Sequence, residues 1–378
     1  MSIPAIAVRP KAYEGVEFVR DAVRAMTAYT LEPRTARDKL DQNEGAVDLP
    51  AELKQEIVER VLRRKWNVYP EFEAVELRDA IARRGGIARE NVLVGNGSNE
   101  LLMVAMATLV APGRRVVIPT PTFPLYEKLA TIFGGEIVRV DIDPRSGALP
   151  LRAMLDAALD GPEPAVVVAC SPNNPTGGIL GADDLESLLA SGAFVLLDRA
   201  YGEFWDDGPP PPADRLVTLS TFSKAWGLAA LRIGWLESTP ELCGEMRKVK
   251  LPYNLNVFSQ EAALVAIENE TLMQSRVDAT LRERARVTAR LEAMRGIELF
   301  PSRSNFVAFR VEESADEIFE GLIARGTLVR NISRYPRMER CLRVSIGEPE
   351  QNDRFLESIE ALLEAGETSR RLEEGRGA

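Results

Sequence analysis

The sequence predicts an α/β fold, with a mostly parallel central sheet covered by helices on both faces and a smaller α+β domain beside it. Three observations predict it. Between about residues 90 and 235, short apolar runs rich in β-branched residues alternate with amphipathic stretches. After about residue 255 the pattern changes to two long helical stretches, the second heavily charged, followed by mixed strand and helix. The length, 378 residues, also exceeds what one compact core usually covers.

The runs that read as strands are NVLVGN (91–96), RRVVIPT (114–120), EIVRVDI (136–142), AVVVACS (165–171), AFVLLDRA (193–200), LVTLSTF (216–222) and IGWLES (233–238). Helical patterns at 98–110, 126–133 and 183–190 separate several of them. The last strand or two could run antiparallel, a choice the pattern leaves open. Two helices follow at about 257–269 and 272–294. Then come NFVAFRV (305–311), a helix near 315–325, TLVRNIS (327–333), CLRVSIG (341–347) and a helix near 350–364. The polar tail ETSRRLEEGRGA is expected to fray. The first forty residues are too few for a domain and are expected to pack on the smaller one. No internal repeat or low-complexity block interrupts the order.

Composition excludes several function classes. Apolar residues at 45% and charged residues at 28% describe an ordinary globular chain, so extensive disorder is not expected. A net charge of −10 opposes nucleic acid and anionic membrane surfaces. The N-terminus lacks the apolar core of a signal peptide, and no apolar run is long enough to span a membrane. Cys170, Cys243 and Cys341 are widely spaced, without a C-x-x-C pair; neither a disulfide framework nor a metal site is expected, and a cytoplasmic location is. Histidine is absent altogether. Ser–His–Asp and Cys–His catalysis, His-ligated metals and imidazole proton shuttles are therefore excluded. Proton transfer must rely on Lys, Asp, Glu, Tyr, Cys or a cofactor.

Five segments carry candidate chemistry. GNGSNE (95–100) lies between a strand and a helix, where Gly97, Ser98 and Asn99 can present backbone N–H groups to an anion. A dinucleotide-binding reading fits less well, because Glu100 occupies the place of a third glycine; a plain turn with an N-cap also fits. PTPTFPLY (119–126) offers Phe123 as a ring to stack on a flat heterocycle, or as an ordinary core residue. SPNNPTGG (171–178) places Asn174 before a proline, with an amide able to donate to a phenolate, although every residue there also suits a turn. LLDRAYGEF (196–204) ends an apolar strand at Asp198, where a carboxylate is costly unless paired. A protonated pyridine nitrogen would suit it, and Tyr201 could reach a ring oxygen; a strand-end cap is the simpler alternative. STFSKAWGLAALRIG (220–234) flanks Lys224 with Thr221 and Ser223 and sets Arg232 eight residues beyond. Those hydroxyls and Arg232 can complete a phosphate cradle with the 97–99 backbone. Each segment is weak alone, but together they supply the separate contacts of a single ligand.

With NVYPE (67–71), LVRNISRYP (328–336) and CLRVSIG (341–347), these segments resemble the fold-type-I pyridoxal 5'-phosphate (PLP) aminotransferases over nearly the whole chain. More narrowly they are similar to the histidinol-phosphate aminotransferase branch. The resemblance implies a large PLP-binding domain at 44–270, a small domain formed by 1–43 and 271–378, and a homodimer with shared active sites. It implies that Lys224 carries the cofactor as an imine and shuttles the proton, that Asp198 pairs with the ring nitrogen, and that Asn174 and Tyr201 contact the ring oxygen. Phe123 then stacks on the ring, while Gly97, Ser98, Asn99, Thr221, Ser223 and Arg232 hold the phosphate. Tyr69 reaches the partner's cofactor phosphate. Arg343 anchors the substrate carboxylate, and Arg330 and Tyr29 lie on the substrate side.

Three departures from the family pattern stand out. Arg199 replaces a glutamate beside Asp198, and strand alternation should turn its side chain away from the cofactor. The N-E-N-P-Y-G segment survives only as Asn43-Glu44-Gly45, and Ala230 replaces a glycine. The implied reaction is transamination of histidinol phosphate with 2-oxoglutarate. An aromatic or broad-range aminotransferase and a threonine-phosphate decarboxylase share the same segments, and a non-enzymatic PLP-binding module is the alternative from another class.

Overall fold

The computed structural model describes residues 15–28, 33–205 and 208–376, with side chains described to residue 366. Strand β1 (Asp38–Lys39) precedes the strands of the large sheet: β2 (Val92–Gly95), β3 (Arg115–Thr120), β4 (Glu136–Asp141), β5 (Val166–Cys170), β6 (Phe194–Asp198), β7 (Leu216–Thr221) and β8 (Gly234–Glu237). They lie in the order β2-β8-β7-β6-β5-β3-β4. β3 to β7 pair in parallel and β8 runs antiparallel to both of its neighbours, which settles the choice left open by the pattern.

Alternation along these strands decides what each residue faces. In β5, Val166, Val168 and Cys170 join one core layer, as do Leu196 of β6 and Val217 and Leu219 of β7. Helices Ser98–Leu109, Leu125–Phe133 and Pro240–Val249 cover that face. Val167, Ala169, Val195 and Leu197 point the other way, against helices Leu151–Leu159 and Ala182–Ala190. Asp198 and Thr221 continue the first set by two-residue steps. Both therefore emerge on the Leu125–Phe133 side, at the carboxyl ends of their strands.

The second sheet comprises β9 (Ile297–Leu299), β10 (Phe306–Val311), β12 (Arg330–Asn331) and β13 (Cys341–Ser345), ordered β12-β13-β10-β9, while β11 (Thr327–Leu328) pairs with β1 instead. The single strand expected at 327–333 is thus two short ones serving different sheets. The described residues before β2 do not all pack beside the second sheet. Asp38 is gripped by Arg354 at 2.6 and 2.8 Å beside the second sheet, whereas Arg20 reaches across to the Ile132 carbonyl of helix Leu125–Phe133. The tail expected to fray continues helix Pro349–Arg376. Its Glu, Arg and Leu are good helix formers with no proline to stop them. Among the described residues, no helix is long and apolar enough to cross a membrane.

Candidate active site

The carboxyl ends of β5, β6 and β7 open into a cavity of about 270 Å³. Its lining brings together Ser98, Asn99, Phe123, Asn174, Asp198, Tyr201, Thr221, Ser223, Lys224, Arg232, Arg330 and Arg343, although 245 positions separate the first from the last (343 − 98).

One end is an anion cradle. Gly97 sits at φ +84°, and a Cβ there would lie 2.6 Å from Arg232 Nη2. A Cβ on Gly234 would lie 2.5 Å from the Ser98 nitrogen. Glycine is required at both positions because guanidinium and backbone come this close. Arg232, itself at φ +52°, donates to Ser223 Oγ at 3.3 Å, and Thr221 Oγ1 donates to the same hydroxyl at 2.9 Å. Glu100 explains why a third glycine is missing. Its carboxylate accepts from the Asn96 N–H and from Asn254 Nδ2, pinning the turn before helix Ser98–Leu109. Two hydroxyls, a guanidinium and a helix N-terminus therefore converge, a donor set suited to a phosphate.

Lys224 stands on the loop after β7. Beneath that loop Phe222 packs against Trp226 and Trp235, with centroids 5.2 and 4.9 Å apart. Such aromatic pairs add about 0.5–1.5 kcal/mol each beyond burial. Gly227, at φ +71°, closes the loop by donating its N–H to the Lys224 carbonyl. Lys224 Nζ donates to the Gln42 carbonyl at 2.8 Å and lies 5.8 Å from the Tyr201 ring centroid. Burial, with Arg343 and Arg232 nearby, pushes its amine down to about 8. Roughly a tenth to a fifth is then neutral near physiological pH, and that is the form that attacks a carbonyl.

Asp198 is buried at 6% exposure, and burial raises its carboxyl above the usual range. Its oxygens accept from Tyr126 Oη at 2.8 Å and from the Ala200 N–H at 2.9 Å. Arg199 points through the sheet into a separate cavity with Arg84, Glu203 and Glu237, as strand alternation requires. Tyr201 Oη accepts from Asn43 Nδ2 at 3.0 Å, so its own proton is available; burial keeps that phenol protonated. Arg343 donates to Asn174 Oδ1 and, at 2.6 Å, to the Asp41 carbonyl. With Oδ1 occupied in this way, the Asn174 N–H₂ is left to donate. Arg343 lies over the Phe306 ring at 5.2 Å, and its buried Nε finds no acceptor among the described residues. Arg330 faces Arg343 across the β12–β13 register.

The resemblance sets Tyr69 at the partner's cofactor rather than in this cavity. Tyr69 is 77% exposed, stacked on Tyr253 at 4.4 Å and outside this cavity. Tyr29 lies outside the described residues. Conversely, Tyr126 and Asn43 belong to the site, and the sequence reading did not select them as site residues. Asn43 carried a signal in the Asn-Glu-Gly remnant, whereas Tyr126 in an amphipathic helix looks like any core aromatic.

The model of the family "Aminotransferase class I and II" matches residues 39–359. The chain is 38% identical over 360 residues to a histidinol-phosphate aminotransferase of Chlorobium phaeovibrioides, covering 92% of this chain and 97% of that protein. It is 35% identical to one of Aquifex aeolicus, over 91% and 97%. Among solved structures, the fold matches a histidinol-phosphate aminotransferase from Sinorhizobium meliloti in complex with pyridoxal-5'-phosphate, with a TM-score of 0.82, 22% identity and coverage of 92% and 98%. It also matches an L-threonine-O-3-phosphate decarboxylase from Porphyromonas gingivalis, with a TM-score of 0.75, 23% identity and coverage of 86% and 99%. With a family match that spans most of the chain, this protein belongs to the class I and II aminotransferases.

Proposed function

We propose that the chain transfers an amino group from histidinol phosphate to 2-oxoglutarate, or from glutamate in the reverse direction, using PLP. The observation that carries this reading is the buried Arg343–Asn174 pair in one cavity with Lys224 and Asp198, in a chain so similar to histidinol-phosphate aminotransferases. The residues fit the cofactor. The Gly97–Arg232 cradle suits its phosphate, the cation-poor Asp198 suits a protonated ring nitrogen, and Asn174 and Tyr201 offer donors for its ring oxygen. When bound, PLP supplies an electron sink next to the substrate's α-carbon and carries the amino group between two half-reactions.

The remaining work falls to this chain's own groups. Lys224 holds the cofactor, and its amine, once released, takes the proton from the substrate α-carbon. Ionised Asp198 keeps the ring nitrogen protonated, and Phe123 bounds the ring face. Arg343 binds the anion that each substrate carries near its amine, the phosphate of histidinol phosphate or the α-carboxylate of glutamate. Arg330 adds a second positive charge, which favours the doubly charged phosphate.

The homodimer belongs to this proposal as well. Trp66 and Tyr69 are 70% and 77% exposed, and Tyr69 stacks on Tyr253, two residues past Leu251, which is 61% exposed; this is an unusual amount of exposed large apolar surface. A partner covering this surface would receive Tyr69 at its cofactor phosphate. The three cysteines are free and buried, in keeping with a reducing cytoplasm.

The test is a stoichiometric assay with histidinol phosphate and 2-oxoglutarate. Glutamate and the 2-oxo phosphate ester are expected in equal amounts. Carbon dioxide released from threonine phosphate without an oxo-acid acceptor would favour the decarboxylase reading and contradict the proposal.

A further inference from the structure

The hydroxyl of Tyr126 has no part in the roles assigned above, yet it touches the group that governs the cofactor ring. Tyr126 lies in the first turn of helix Leu125–Phe133, is 1% exposed, and donates to Asp198 Oδ2 at 2.8 Å. The opposite oxygen is held by the Ala200 N–H. The carboxylate is thus clamped from two elements, a helix on one side and its own strand end on the other. Its remaining surroundings carry little compensation. The Cys170 thiol on β5 is buried and donates elsewhere, to the Pro172 carbonyl at 3.3 Å. Tyr201 is neutral and engaged with Asn43, Arg199 faces the opposite side of the sheet, and Lys224 is the nearby cation.

We propose that Tyr126 is a positioning residue for the transfer reaction: by donating to Asp198 Oδ2 it fixes the carboxylate's orientation and stabilises its ionised form, so that the other lone pairs meet the cofactor's ring nitrogen. Three features support this beyond the distance. A buried, unpaired carboxylate is costly, and a hydroxyl donor is the smallest change that reduces the cost without neutralising the charge. Burial holds the Tyr126 phenol protonated throughout the working range, so it is always a donor. Its ring is held edge-on by Phe123, with centroids 5.8 Å apart, which ties the clamp to the residue expected over the cofactor ring.

The inference rests on the PLP reading, and its test separates the two. PLP affinity of the full-length apoprotein would be measured by fluorescence quenching from pH 5.5 to 8.5 for wild type, Y126F, D198N and the double variant. Removing a hydrogen bond to a charged group should weaken PLP binding about ten- to a hundred-fold near pH 7. The pH below which affinity is lost should also move upward by about one to two units, because the carboxylate protonates more readily without its donor. In the D198N background Y126F should add almost nothing, since the effect acts through the carboxylate. Equal affinities of wild type and Y126F at every pH would overturn the proposal, as would a Y126F loss that is pH-independent and persists in D198N, the mark of a packing role. Failure of wild type to bind PLP would instead remove the cofactor reading itself. Thermal melts of each apoprotein verify folding; Y126L, which fills part of the space and carries no donor, should behave as Y126F does and repeats the test if Y126F fails to fold.

Discussion

The two walls of the cavity are built on different principles. One is the carboxyl edge of the large sheet, where Asp198 ends β6, and Asn174 and Lys224 follow β5 and β7 within a few residues. The other is assembled from distant pieces. Arg343 bonds to the carbonyl of Asp41, 302 positions away, and Ser345 Oγ accepts from the Asn43 N–H at 2.8 Å, again 302 positions apart. On the proposed reading, the sheet edge positions the groups that any amino transfer needs. The opposite wall is a junction between the chain's two ends, able to change by local substitution without disturbing the sheet. The proposed function thus assigns reaction type and substrate choice to different walls, an arrangement that lets one fold serve several substrates.

The comparison fails if the sheet edge proves dispensable. Lys224→Ala should lower turnover by more than about 10⁴-fold for every amine tested, since it removes both the attachment point and the proton carrier. Borohydride reduction followed by mass spectrometry should show no PLP left covalently on the protein. A loss confined to one substrate would mean that Lys224 acts in recognition.

Arg343→Ala should cost about 10²–10³-fold in kcat/KM for phosphate and carboxylate substrates alike, because a buried anion loses its partner. Steady-state kinetics with histidinol phosphate and glutamate measure this. Gly97→Ala combines a left-handed backbone with a Cβ 2.6 Å from Arg232 Nη2, and should weaken PLP binding by about ten-fold while leaving substrate ranking intact. A changed ranking would blur the division between the walls.

The smallest effect is electrostatic and links the walls. Lys224 ionises near 8, chiefly through burial and next through Arg343. Its neutral form captures PLP, so the rate of reconstitution should rise with pH and level off above about 8. Removing the positive charge of Arg343 withdraws one cause of the lowering, so the midpoint should move upward in Arg343→Ala. Stopped-flow absorbance across pH 6.5–10 would detect the displacement.

The same division explains what could be read from the sequence. The sheet edge was legible because continuous apolar runs ending in Asp198, or leading into S-P-N-N-P and S-K, mark parallel strands whose carboxyl ends carry chemistry. Alternation alone placed Arg199 on the far face. The junction was less legible. β11 and β12 lie within one apolar run but serve different sheets, a tertiary choice no local pattern encodes. Asn43 acts through Tyr201, 158 positions on, and nothing near it in sequence names that partner. Tyr126 was hidden for the opposite reason, since its spacing already had a sufficient explanation as core.

The most direct test of the proposed substrate is a single-turnover comparison of amines on the PLP-loaded protein, following the cofactor's absorbance. The panel needs histidinol phosphate, phenylalanine and threonine phosphate. The two-wall account predicts that histidinol phosphate reacts at least about 100-fold more efficiently than phenylalanine, the discrimination expected when a site with Arg343 and Arg330 suited to a doubly charged phosphate meets a singly charged α-carboxylate. Faster conversion by phenylalanine would contradict the histidinol-phosphate assignment while leaving the aminotransferase family intact.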